Sequence, residues 1–219
     1  MKRIFVVGGA GKIARYLAPR LAKQGDQALS LYRHFDQEPA LKALSAIPVY
    51  GDLQKLSPES LALLMDGCDA VVFTAGAGGK GGTATTTAVD GVGLEKSVEA
   101  AKLAGIKRFI LVSAFPEAGR GRHISDTFEH YMQVKKAADV YLAATDLDWV
   151  IVRPGTLTDD AATARINTGL AIRYGHVSRD NVAATLAYIV AHDSINRVII
   201  ELTDGDTPIE QVLTPLARY

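Results

Sequence analysis

Tyr131 and Lys135 place a phenol and an amine four residues apart in a stretch whose composition suits a helix, so both fall on one helix face. An ammonium held there is expected to lower the proton affinity of the phenol, and such a tyrosine exchanges a proton with a carbonyl or hydroxyl oxygen. Pairs at this spacing recur by chance, so position in the chain gives this one its weight. It lies downstream of Ser113, which closes an apolar run at a point where a hydroxyl can orient a substrate oxygen.

A second constellation opens the chain. Ile4 to Val7 form a continuous apolar run of the kind found in a strand covered on both faces, and Gly8-Gly9-Ala10-Gly11 follow at once. Gly8 and Gly11 are expected to take backbone angles closed to other residues and to let the main chain approach a pyrophosphate, whose charge then faces the amide-rich start of a helix. Ala14 is small enough for that helix to lie near the strand, and Ile13, Leu17 and Leu21 give it one apolar face. The alternative is a plain strand-to-helix turn with no ligand, and the surrounding elements must decide.

Those elements alternate. Strands are predicted over 27–32, 47–50, 69–75, 107–114, 149–152 and 197–202, with helices near 38–45, from Pro58, over 86–104, 126–144 and 178–191, and from about Pro208. Strands separated by helices of this length imply an α/β fold: a single doubly wound, Rossmann-type domain whose mostly parallel sheet has about six to seven strands and helices on both faces. Ligands then bind at the carboxyl ends of the strands. Segments 76–82 and 115–127 leave such ends and are read as flaps bordering the site, the alternative being solvent loops. Parts of 155–219 and the loop 115–127 are expected to form a small substrate-side cap.

With 219 residues, 48% of them hydrophobic, the chain suits one domain spanning 1–219, and its zero formal charge gives no support to a nucleic-acid or membrane partner. A small molecule fits better. The single cysteine, Cys68, excludes an intrachain disulfide and suggests a reducing compartment, so a cytoplasmic location is expected. No run approaches membrane-spanning length, and the apolar run after Lys2-Arg3 is too short for a signal peptide. The histidines show no paired metal-ligand spacing, so no metal is expected.

Taken in order, the glycine turn through Ala14, Gly51-Asp52-Leu53, Thr74-Ala75-Gly76, Val89-Asp90, the run from Lys107 to Ser113, Tyr131 with Lys135, and Val152-Arg153-Pro154-Gly155 resemble the short-chain dehydrogenase/reductase superfamily. The resemblance is to its atypical group of small NmrA-like, NAD(P)-binding proteins, and covers nearly the whole chain. It implies that Gly8, Gly11, Lys12 and Ile13 bind the cofactor, that Asp52 and Leu53 flank its adenine, and that Ala75 and Gly76 pack on the ribose side. Pro154 would border the nicotinamide, and Lys135 would also hold the nicotinamide ribose. It further implies Ser113, Tyr131 and Lys135 as catalytic, with Asp90 standing where better-known members use an active-site asparagine.

Arg33 follows the predicted second strand, where an NAD-preferring fold carries an acidic residue. Its planar fork suits a 2′-phosphate, with Lys12 or His34 adding charge, so NADP is favoured over NAD. Asp36 would reverse this if the strand ended later, and Arg33 can also be an ordinary surface cation. Arg120, Arg122 and His123 are read as a solvated basic loop or as contacts for an acidic substrate.

The leading expectation is an NADP-dependent oxidoreductase acting on a small carbonyl, alcohol or quinone-like compound. Only about 65 residues follow Pro154, which suits a compact or planar substrate. A non-catalytic NADP(H) sensor that relays to a protein partner is one alternative. An NAD(P)-dependent epimerase or dehydratase that retains its cofactor is the other.

Overall fold

The computed structural model describes residues 1–117 and 124–218, so Arg120, Arg122 and His123 lie outside the described residues. In chain order the elements are β1 (Arg3–Val7), α1 (Lys12–Lys23), β2 (Gln27–Tyr32), α2 (Glu38–Ala43), β3 (Ile47–Tyr50), α3 (Pro58–Leu64) and β4 (Ala70–Phe73). There follow α4 (Gly82–Thr86), a π-helical turn (Thr87–Val92), α5 (Gly93–Leu103), β5 (Arg108–Val112), α6 (Asp126–Ala143) and β6 (Asp148–Pro154). The chain then runs through β7 (Thr156–Thr158), β8 (Arg165–Gly169), β9 (His176–Ser178), α7 (Arg179–Ala191), β10 (Val198–Asp204), β11 (Thr207–Pro208) and α8 (Ile209–Leu213).

Local chemistry fixes several helix starts. Ser57, Ser125 and Ser178 each accept a hydrogen bond from the backbone three residues on, at the heads of α3, α6 and α7. Such a cap is worth about 1 kcal/mol. It satisfies an amide that the helix leaves without a partner.

The main sheet is ordered β11-β8-β10-β6-β5-β4-β1-β2-β3. The strands from β3 to β10 pair in parallel, and these seven are the expected doubly wound core. β8 and β11 extend the sheet with antiparallel pairing, and β7 and β9 make a separate parallel pair. The sequence reading anticipated none of these four short strands. β8 exposes alternate polar residues, so its apolar signal is a single buried Ile166.

Pleat alternation builds the layers. Ile4 and Val6 of β1 face one core with α1 and α7, while Phe5 and Val7 face the other with α3, α5 and α6. Both faces of the strands are therefore apolar, as parallel strands between helices require. From β1 the chain steps to β2 and β3 on one side, then crosses to β4 on the other. The crevice between β1 and β4 is thus the switch point at which such sheets bind ligands.

Candidate active site

At the carboxyl ends of β1 and β4 lies a cleft of about 550 Å³. Its floor is the glycine turn. Gly8 has a φ of +80°, and a Cβ there would stand 2.7 Å from the Ala75 backbone. Gly9 meets the next strand just as closely, with a would-be Cβ 2.5 Å from Ser30. Gly11 departs from expectation: at φ −70° and ψ 160° it is ordinary extended backbone, so close approach by Gly8 and Gly9, not a second left-handed residue, shapes the turn. Gly11 precedes α1 without any side-chain cap, and the first turn of that helix has no acidic residue. Its free amides can therefore receive an anion from the cleft.

One wall comes from β2 and β3, with Arg33 and Gln37 at its far end and Asp52, Leu53 and Gln54 nearer the floor. Asp52 uses Oδ1 to accept from the Gln54 amide at 3.0 Å. The opposite wall is the segment after β4, including Ala75, Gly76, Ala77 and Lys80, backed by Thr85 and Val89. Gly8, Gly11, Arg33, Asp52, Leu53, Ala75 and Gly76 are thus brought together as expected. Ile13 is instead buried in the core behind the turn. Lys12 is turned to Asp159, 2.5 Å away, which also pairs with Arg179 at 2.7 Å. Asp36 does not line the cleft, whereas Gln37, Gln54 and Lys80 do, and the sequence reading had not singled these out.

Beyond Gly76 and Ala77 stand the residues expected to be catalytic. Asp90 sits in the π-helical turn where a regular helix was expected. Its Oδ2 accepts from the Ala77 amide at 2.9 Å, and its Oδ1 lies 3.5 Å from Lys135 Nζ, with both side chains buried. Lys135 also donates to the Val112 carbonyl at 3.1 Å. A Cβ on Gly76 would come within 3.1 Å of Asp90 Oδ1, so the cleft wall and the ion pair touch. His130 ties α6 to the π turn through a 2.8 Å contact with Thr87 Oγ1.

Tyr131 shares the α6 face with Lys135, which lowers the phenol's proton affinity as expected, but burial outweighs it. Burial pushes the phenol up from its ordinary value; Lys135 opposes this, while Asp90 and more weakly Tyr174 and Asp139 add to the rise. Tyr174 stands edge-on to Phe115 at 5.3 Å, and its hydroxyl meets Thr156 Oγ1 at 2.8 Å, so an aromatic pair flanks this end.

Ser113 comes directly after β5, one residue past the observed strand end at Val112, and its hydroxyl lies against Asp139, one turn beyond Lys135 on α6. Asp139 Oδ2 accepts from Arg153 Nε at 2.8 Å, while Asp139 Oδ1 and Ser113 Oγ are buried and stop short of a well-formed hydrogen bond. Burial lifts the Asp139 carboxyl above its ordinary range, with Ser113, Arg153 and Lys135 working against it. Sequence reading missed Asp139; its signal was the four-residue step continuing from Tyr131 and Lys135. Pro154 closes β6 and is buried beside this group.

The family described as NAD(P)H-binding matches residues 8–193, the span that holds the glycine turn, the cleft walls and the Tyr131 group. The chain belongs to this NAD(P)H-binding family. Within it, the Bacillus subtilis (strain 168) protein named uncharacterized sugar epimerase YhfK is 35% identical over 215 residues, covering 98% of this chain and 100% of the relative. The oxidoreductase ylbE from Lactococcus lactis is 30% identical, with a TM-score of 0.87 over 99% of this chain and 97% of that one. A short-chain dehydrogenase/reductase from Veillonella parvula, solved in complex with NADP, shares the fold at 19% identity and a TM-score of 0.76, covering 94% of this chain and 96% of that one. The cleft at the switch point is where an NAD(P)H-binding Rossmann fold holds its dinucleotide. The uncapped α1 amides, the close glycine backbone and the cationic far wall are the donors that such a ligand requires.

Proposed function

We propose that this protein is an NADP-dependent oxidoreductase of the short-chain type that reduces a small carbonyl or quinone-like compound. The observation that carries the reading is the buried Lys135–Asp90 pair against the Gly76 wall of the cleft, with Tyr131 one turn before Lys135 on α6. A phenol is protonated at neutral pH and can give its proton to a carbonyl oxygen, the step that reduction needs.

In this reading Gly8 and the amides of α1 receive the pyrophosphate, Asp52 and Leu53 flank the adenine, and Arg33 with Gln37 meets the 2′-phosphate. Arg33 lines the cleft, and among the described residues no carboxylate pairs with its guanidinium. When bound, the nicotinamide supplies the hydride. Lys135 is held by Val112 and Asp90 at the depth of the Gly76 wall, within reach of the nicotinamide ribose, and Pro154 borders the ring. Ser113 orients the substrate, and the Phe115–Tyr174 pair shields it from water. The balanced charge and lone cysteine favour a small-molecule partner and a cytoplasmic setting.

The test is NADPH oxidation with a panel of aldehydes, ketones, quinones and flavins. Turnover by the wild type that is lost in Tyr131→Phe is expected; no turnover on any acceptor, or full turnover by the variant, sinks the proposal. Binding of NADP without turnover would move support to a redox sensor. The name of the Bacillus subtilis relative favours one second reading, an epimerase that uses the same residues for transient oxidation. Its mark is nicotinamide that copurifies with the protein and is not consumed.

A further inference from the structure

The loop that flanks the adenine side of the cleft is held by a lysine outside the cleft. Lys96, on α5, donates from Nζ to three carbonyl oxygens of one short segment: Leu53 at 2.5 Å, Leu56 at 2.8 Å and Gln54 at 3.2 Å. An ammonium has three donors, and here all three go to main-chain carbonyls. Among the described residues no carboxylate shares it. A lysine on a helix surface ordinarily keeps its head in water and serves solubility; this one, half-buried, turns its head to backbone.

A second contact from the same helix acts on the same segment. A Cβ on Gly93, one turn earlier, would stand 2.9 Å from Leu53 Cδ2, so the α5 backbone presses directly on the Leu53 side chain. Charge and packing thus anchor the outer side of the segment, while Asp52, Leu53 and Gln54 line the cleft on its inner side.

The consequence lies in which backbone groups stay available. The amides of Gln54, Lys55 and Leu56 are all satisfied by Asp52, through its Oδ1 or its carbonyl. The carbonyls of Leu53, Gln54 and Leu56 are taken by Lys96. Among the described residues the Leu53 amide alone in this segment has no protein acceptor, and Leu53 belongs to the cleft wall. The peptide that carries this amide is held by its own carbonyl, that of Asp52, which accepts from the Lys55 and Leu56 amides.

We infer that Lys96 is the positioning residue for the adenosine half of the cofactor, holding the 53–56 segment in its binding shape before the nucleotide arrives. Preorganisation of this kind raises affinity by removing the cost of ordering the wall on binding. The inference rests on the dinucleotide reading above, and it assigns to Lys96 no contact with the ligand.

The full-length protein and its Lys96→Met, Lys96→Arg and Lys96→Gln variants are titrated with NADP, with 2′,5′-ADP as the adenosine half, and with nicotinamide mononucleotide as the other half. Calorimetry serves the first two ligands, and ligand-detected NMR the weaker third. Lys96→Met is expected to bind NADP and 2′,5′-ADP about tenfold more weakly, with nicotinamide mononucleotide unchanged and most of the loss restored by Lys96→Arg. A merely structural role would weaken both halves alike. Unchanged 2′,5′-ADP affinity in Lys96→Met, or equal losses for the two halves, overturns the inference. If Lys96→Met does not fold, Lys96→Gln, which keeps an amide donor for the carbonyls, is judged on the same split between halves. A wild type that binds none of the three overturns the dinucleotide reading itself and this inference with it, whereas a wild type that binds all three beside an unaffected variant overturns the role of Lys96 alone.

Discussion

Lys135 and Asp90 face one another 3.5 Å apart, buried behind the Gly76 wall of the cleft, and the same aspartate holds the Ala77 amide with its other oxygen. One carboxylate therefore neutralises the lysine, tethers the segment after β4 to the π-helical turn, and raises the proton affinity of Tyr131. These three effects can be separated by substitution.

Asp90→Asn keeps an acceptor for the Ala77 amide but removes the charge. Because Asp90 pushes the Tyr131 phenol up, its neutralisation lets that phenol ionise at lower pH. Turnover that needs protonated Tyr131 should then lose its alkaline limb earlier than in the wild type. Lys135 is also left buried without its counter-ion, at a cost of about 3 kcal/mol in urea unfolding. An unmoved limb in the pH–rate profile would show that Asp90 does not act on Tyr131.

Tyr131→Phe should lower turnover by about 10² to 10⁴ while leaving NADP affinity intact. It should also change alkaline stability. The folded phenol sits above its ordinary value of 10.0, so the folded state holds that proton more tightly than the unfolded chain. Stability is fully present below pH 10.0 and falls as pH rises through the folded value. Melting curves of wild type and variant should run parallel at neutral pH and diverge above that point, the wild type falling faster.

Asp139→Asn tests the Ser113 side. The Asp139 carboxyl is lifted above its ordinary 3.8, so its contribution to stability is present below that pH and declines as pH rises through the folded value. The difference in unfolding free energy between wild type and variant should therefore slope as pH rises from 3.8 and flatten once pH has passed the folded value. If Asp139 acts on turnover through Ser113, the substitution should add little in a Ser113→Ala background. Additive losses in that double-mutant cycle would separate the two residues.

Arg33→Ala should weaken NADP binding by about 10- to 100-fold, the worth of one or two charge-assisted hydrogen bonds, with NAD little affected. Calorimetry with both dinucleotides checks this. Equal losses for the two would mean that Arg33 does not read the 2′-phosphate.

The strands with continuous apolar runs and the helices headed by Ser57 and Ser178 were legible in the sequence because their signals are local. The cleft floor was legible too, since glycines between a strand and a helix leave few other readings. What escaped depends on contacts across the fold. The lysine partner of Tyr131 could be seen four residues away, but the burial and the Asp90 charge that reverse its effect come from elsewhere. Lys96 looks like any solvated helix lysine until the 53–56 carbonyls are placed beside it. Lys12 looks like a phosphate ligand until Asp159 arrives from the far end of the chain. β7, β8, β9 and β11 are too short and too polar to announce themselves.

The π-helical turn at Thr87–Val92 sets a phase shift in an otherwise continuous helical rod. Each of its hydrogen-bonded loops encloses one residue more than an α-turn, so α4 and α5 do not share a common face along their length. Residues ahead of the turn are clocked to the cleft flap and α6, and those behind it to the sheet. Deleting a single residue between Asp90 and Gly93 would restore the α-helical count and swing Asp90 by about 100° relative to α5. Leu94, Val98 and Ala101 would keep their places in the core. The molecule would remain folded, with its carboxylate turned away from Lys135.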